Sequence, residues 1–273
     1  MNTPTILVAT DFSQRSIDIV QRALPLAKEL GGTLHVIHVI EESLFDFLEK
    51  DQPIIEHALE ALKKHFPTIN ESNLHCKKGK VGAVIADLAK ELNTKLIILG
   101  NSGEHGGLKN LFIGSSTKAI VRSVSVPVLV VKSFKDLDIK KLLIPTDFSK
   151  ASKKHIQTMQ SLFPKAKITL LHTYTVPFST RLSLYGVKKG DVNLLGENLE
   201  IYAKNEAALF LEDFKNTNID LIVREGALDP NFFTSIANMH AIQTISLHTT
   251  GSISLFAFDL LLETDKDVII NTI

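Results

Sequence analysis

Ile6-Leu7-Val8-Ala9-Thr10-Asp11-Phe12-Ser13 recurs as Leu142-Leu143-Ile144-Pro145-Thr146-Asp147-Phe148-Ser149. Each copy is an apolar run of strand length, then an identical Thr-Asp-Phe-Ser, then a helical pattern (Ile17, Ile19, Val20 and Ala23 in the first). Long-period repetition takes precedence over local propensity in choosing an architecture. Two further correspondences keep the same order. His38 closes the run Leu34 to Val39 as His172 closes Ile168 to Leu171, and Gly79 ends one run as Gly226 ends Ile219 to Glu225. The chain therefore reads as two homologous domains, 1–134 and 139–273, joined by a polar linker near Ser133 to Ile139.

Within the first repeat, strands are expected at about 5–9, 33–39, 73–78, 95–99 and 127–131, with helices at about 14–30, 53–65, 81–92 and 116–123. Leu59, Leu62 and Phe66 lie on one face of the second helix. Such alternation predicts an α/β fold with a parallel sheet and helices on both faces. Ligands of these sheets sit at the carboxyl ends of the strands, near the switch in strand order. Asp11, Val39 and Gly100 all fall at such ends.

The chain has 273 residues, 44% hydrophobic and 22% charged, ample for two packed cores. Lys+Arg and Asp+Glu both total 30, which argues against a nucleic-acid binder with a strongly basic surface and against a polybasic membrane anchor. Cys76 is the single cysteine, so no intrachain disulfide forms and a cytoplasmic setting is expected. The N-terminus does not read as a signal peptide, and no apolar run approaches the ~20 residues of a membrane span.

Leu99-Gly100-Asn101-Ser102-Gly103, followed by Gly114-Ser115-Ser116, carries the chemistry. Glycines allow sharp turns and close ligand approach. The helix opening at Ser115 offers free N–H groups and a partial positive charge, the ingredients of a phosphate cradle. The plainer reading is a long surface connection, but loops of this length in compact domains are usually functional or disordered. His105 and Lys109 lie in the loop and read as solvated. In Thr10-Asp11-Phe12-Ser13 the plain reading is that Asp11 or Ser13 caps the following helix; the other reading of Asp11 is a carboxylate on a nucleoside. Asp147 lacks a facing glycine loop, and capping is expected there.

Other motifs fail. There is no P-loop, no paired His or Cys ligand spacing and no nucleophile elbow. Gly79-Lys80-Val81-Gly82 reads as a turn. His35 and His38 point to opposite faces of one strand. Thr175 to Gly196 reads as a surface loop, with a partner-binding arm as the alternative.

With Asp11 and the glycine loop in hand, the chain resembles the universal stress protein family, as a tandem member over essentially its whole length. The resemblance implies two open-twisted, mainly parallel five-stranded sheets, adenine nucleotide alpha hydrolase-like, and ATP with Mg2+ as ligand. By that likeness Ala9, Thr10 and Asp11 line the nucleoside and Val39 the adenine. The stretch Leu99 to Gly103, with Leu99, Gly100, Ser102 and Gly103 as its site residues, meets the ribose and first phosphates, and Gly114, Ser115 and Ser116 the outer ones. The family pattern places nine residues between the second and third glycines; here ten intervene.

The second repeat departs further. His248 falls opposite Gly100, Gly251 opposite Gly103, and no Gly-Ser opens the last helix, so ATP binding in the family manner is not expected there. The terminal strands, Pro127 to Val131 and Val268 to Ile273, are bare apolar edges that invite pairing. The resemblance implies that they pair with each other inside one chain, imitating a dimer. The expected function is an ATP-binding stress-response or regulatory protein with a degenerate second domain. A homodimer and a regulatory protein partner remain open. The alternatives are a nucleotide-free scaffold and a slow ATPase or related nucleotide-transferring enzyme.

Overall fold

The computed structural model describes residues 3–41, 52–101, 115–177, 179–215, 217–250 and 255–273. By compactness the chain forms two units, Met1–Asp138 with His248–Ile273, and Ile139–Leu247.

In the first unit, β1 (Thr5–Ala9), β2 (Thr33–Ile40), β3 (Leu74–Lys78), β4 (Thr94–Gly100) and β5 (Val128–Val131) alternate with α1 (Gln14–Glu29), α2 (Gln52–His65), α3 (Val81–Glu91) and α4 (Ser115–Ser123). The strands lie in the order β3-β2-β1-β4-β5, all parallel. Parallel strands covered on both faces need near-continuous apolar runs. Accordingly Ile6, Leu7, Val8, Leu96, Ile97 and Ile98 are wholly buried. Chain direction across the sheet reverses between β1 and β4. Right-handed crossovers then put α1 and α2 on one face and α3 and α4 on the other, where α3 packs on α4.

The second unit holds β6 (Lys141–Pro145), β7 (Lys167–Tyr174) and β8 (Ile219–Glu225), with β9 (Thr244–Thr249) beside β6. Its helices are α5 (Lys150–Leu162), α6 (Ser179–Leu184), α7 (Lys189–Leu211) and α8 (Pro230–Met239). The stretch expected as a loop from Thr175 to Gly196 instead holds α6 and the start of α7. Buried Ala203, Ala207 and Phe210 anchor α7, and the helix extends back from them over residues whose polar composition reads as loop. After α9 (Leu255–Glu263), β10 (Asp267–Thr272) pairs antiparallel with β5, Ile269 opposite Leu129.

The repeat is reproduced in local geometry. Thr10 donates its amide to the Ile37 carbonyl at 2.9 Å and Thr146 to the Leu171 carbonyl at 2.9 Å. Gly79 and Gly226 donate to Ile40 and Tyr174, the last residues of β2 and β7, at 3.0 Å each. Gly82, expected within a turn, lies in the first turn of α3. A Cβ there would meet the Ala119 carbonyl oxygen of α4 at 2.9 Å. Helix packing, not turning, requires that glycine.

Candidate functional site

The carboxyl ends of β1, β2 and β4 converge at the switch in strand order. Register sets this convergence: Ala9 pairs with Ile37 and Val8 with Ile98, so Thr10 and Asp11 leave β1 beside the end of β4. Val39, two residues beyond Ile37, is half-buried on β2.

The turn after β1 is fastened from within. Thr10 is buried; its hydroxyl shares a hydrogen bond of 2.9 Å with Ser16 and accepts the Phe12 amide at 3.2 Å. Phe12 adopts φ 63°, a strained region for a bulky residue. Its ring packs on His38 with centroids 4.4 Å apart, and His38 Nδ1 donates to the Thr10 carbonyl at 2.9 Å. Burial holds His38 below the ordinary imidazole range, partly offset by that carbonyl and by Asp11.

Asp11 is not the helix cap. Ser13 is, its side chain accepting the Ser16 amide, while the Asp11 carboxylate accepts from the Ser13 amide at 3.1 Å and hydroxyl at 2.6 Å. Burial pushes the Asp11 carboxyl up, but the bonds from Ser13 and Ser16 outweigh it, and the net shift is downward. The group is an exposed, ionised acceptor held in place at the strand end. Asp147 likewise sits ahead of the true cap, Ser149. It accepts from the Ser149 amide at 3.0 Å and the Ser152 hydroxyl at 2.6 Å. Bonds from Ser149 and Ser152 overcome its burial and bring it down to about 2.

At the end of β4, Leu99 is buried and Gly100 half-buried. A Cβ on Gly100 would lie 3.1 Å from the Ile19 Cδ1. The Gly100 carbonyl accepts from the Thr117 hydroxyl at 3.3 Å, which ties the strand end to the first turn of α4. Ser115 opens that helix and is exposed; Ser116 is half-buried. Ala9, Thr10, Asp11, Val39, Leu99, Gly100, Ser115 and Ser116 all lie at strand ends or at this helix opening. Ser102, Gly103 and Gly114, with His105 and Lys109, lie outside the described residues, as does Gly251.

Asn101 lies inside the Leu99 to Gly103 stretch that the resemblance assigns to the ribose and first phosphates, and its burial is what the structure adds. It is 6% exposed, and its Oδ1 is buried with no hydrogen-bond partner among the described residues. Leaving such an acceptor unpaired costs roughly 1–3 kcal/mol. Its signal was adjacency to a glycine at the end of a buried strand, but composition alone does not report burial. His38 and Phe12 serve the site as supports for the Asp11 turn.

In the second repeat the register is preserved while the residue at the end of the strand differs. Leu7 pairs with Ile97 in the first and Leu143 with Ile245 in the second. Three residues further along stand Gly100 and His248. The Ser246 hydroxyl and His155 Nε2 lie 3.1 Å apart, but both residues are wholly buried, so the pair has no access to a substrate.

The universal stress protein family model matches residues 2–132. Universal stress protein A homolog 1 of Coxiella burnetii is 32% identical over 142 residues, 48% of this chain and 97% of that protein. A universal stress protein of Methanocaldococcus jannaschii is 28% identical over 138 residues, 46% of this chain and 81% of that protein. Among solved structures, a universal stress protein from Archaeoglobus fulgidus superposes with a TM-score of 0.67 at 16% identity, covering 100% of this chain and 99% of its own. That likeness is one of fold. No helix among the described residues is long and apolar enough to cross a membrane. With a relative above 30% identity matched over nearly its full length, the chain belongs to the universal stress protein family.

Proposed function

We propose that the first repeat binds an adenine nucleotide, ATP, at the carboxyl ends of β1, β2 and β4, and that the second repeat is a degenerate partner. The observation that carries this reading is the strand end at Gly100 and Asn101. A backbone without a side chain, a buried amide oxygen with no partner among the described residues and the first turn of a helix all meet there. Asp11 supplies an ionised acceptor for ribose hydroxyls, Val39 an apolar contact for the base, and the Ser115–Ser116 opening donors for phosphate oxygens. Ser102, Gly103 and Gly114 complete the cradle in the family pattern.

Among the described residues no group of three His, Cys, Asp or Glu side chains is assembled for a metal ion. Mg2+ would therefore enter on the phosphates, as is usual for that ion. Binding itself is the proposed activity, in a stress-response or regulatory role. Ligand at ~100 times its dissociation constant stabilises the bound state by ~2.7 kcal/mol, enough to order one loop. Purified protein, denatured and analysed for released nucleotide, is expected to yield adenine nucleotide. Protein that carries none, and that melts at the same temperature with millimolar Mg-ATP, would remove the proposal.

A further inference from the structure

Helix α7 is apolar on two opposite faces. One carries Ala203, Ala207 and Phe210 into the core. The other leaves Leu194 56%, Ile201 58%, Tyr202 62% and Leu209 71% exposed. A helix exposing one apolar face is incomplete unless something covers it.

The exposed face has an order that names its cover. Leu194, Asn198, Ile201, Tyr202, Asn205 and Leu209 fall within one stripe about 100° wide at 3.6 residues per turn, running along ~22 Å of helix. Their spacing reads the same in both directions: four, three, one, three, four. Residue types mirror too, with Leu at the ends, Asn inside them and a large apolar pair at the centre. A two-fold interface uses the same patch on both partners, so it requires self-complementarity of this kind.

We infer that the outer face of α7 packs antiparallel on α7 of a second copy of this chain, about a two-fold axis between Ile201 and Tyr202. Leu194 then meets Leu209 of the other copy, Ile201 meets Tyr202, and Asn198 meets Asn205. An amide donates and accepts at once, so the Asn pairs satisfy each other and pin the register, the best-attested use of a polar residue in a helical seam. The Tyr202 hydroxyl keeps its bond to Glu206 at 2.9 Å on the rim.

Leu195, at the edge of the stripe, adds a further apolar side chain 37% exposed.

Sedimentation equilibrium of the full chain between about 1 µM and about 300 µM is expected to show a reversible dimer. Ile201→Glu, exposed in one chain, is expected to keep the far-UV spectrum, and the melting temperature at ~1 µM where the monomer dominates, while weakening association at least ~30-fold, the effect of a central interface side chain. In a Cys76→Ser background, an oxidised mixture of Asn198→Cys and Asn205→Cys chains is expected to crosslink, while each alone does not. A monomer over the whole range would overturn the inference. So would dimerisation unaffected by Ile201→Glu, or Asn198→Cys chains that crosslink to themselves.

Discussion

His38 Nδ1 lies 2.9 Å from the carbonyl oxygen of Thr10, and His172 Nδ1 lies 2.9 Å from that of Thr146. A carbonyl only accepts, so Nδ1 carries the proton in both rings. The bond clamps the end of β2 to the turn that presents Asp11, and the ring supports Phe12 in its left-handed conformation. Replacing His38 with Leu is predicted to cost about 1 kcal/mol, the net worth of one hydrogen bond. It should also weaken nucleotide binding by loosening the Asp11 turn. Urea denaturation tests the first part. An unchanged midpoint would mean that Phe12 and Thr10 hold the turn without the ring.

Acid is predicted to weaken the fold well before carboxylates titrate. His35 Nδ1 lies 2.9 Å from His75 Nε2 across β2 and β3, and the rings stack at 5.2 Å. Burial holds His35 below the ordinary imidazole range. Burial, with the neighbouring His35 charge, takes His75 down to about 4. Depressed histidines bind fewer protons in the native state than in the unfolded chain. Stability therefore rises with pH across this window: it is present above about pH 6.5 and lost as pH falls towards 4. Two rings set a ceiling of two protons' worth, ~2.7 kcal/mol per pH unit, and the slope should stay below it because each shift is partial. Urea midpoints at several pH values for the wild type and His75→Gln check this. A variant as acid-sensitive as its parent would assign the effect elsewhere.

Gly82 permits the contact between α3 and α4. Replacing a helical glycine with alanine ordinarily stabilises by ~1 kcal/mol. Here the added Cβ would lie 2.8 Å from the Ser123 Oγ and 2.9 Å from the Ala119 carbonyl oxygen, and backbone does not give way cheaply. Gly82→Ala is predicted to destabilise by about 1–3 kcal/mol, as overpacked sites do. A gain in melting temperature would show that α4 can retreat freely.

Asp267 fastens the start of β10 to the end of β5. It is buried and accepts from the amides of Lys132 and Ser133 at 2.7 and 2.8 Å and from the Ser133 hydroxyl at 2.9 Å. Hydrogen bonds to charged groups contribute roughly 1.5–3 kcal/mol each, and these three share one carboxylate. Asp267→Ala is predicted to cost about 3 kcal/mol, with Asp267→Asn costing less because one oxygen remains to accept. Equal losses in the two variants, read by chemical denaturation, would contradict that account.

The strands of the first repeat were legible because burial on both faces writes parallel strands as unbroken apolar runs. Ile6 to Ala9 and Leu96 to Leu99 allow little else. The family was legible because Asp11 and the Gly100 loop lie at fixed offsets from those strands. Helix α7 was not. Two apolar faces cancel the periodicity that marks a helix, and the Lys188–Lys189–Gly190 stretch at its start reads as loop. Gly82 was misread because its reason, the Ala119 carbonyl, lies outside its own sequence neighbourhood. The burial of Asn101 Oδ1, with no partner among the described residues, is a property of three-dimensional packing that no pattern of residue types records.

Calorimetric titration of Mg-ATP into nucleotide-free protein, comparing the wild type with Asp11→Ala and Asp147→Ala, tests nucleotide binding in the first repeat most directly. One saturable site per chain is predicted, weakened at least tenfold, ~1.4 kcal/mol, by Asp11→Ala and untouched by Asp147→Ala. Absence of binding at millimolar ATP, or equal losses from the two substitutions, would contradict it.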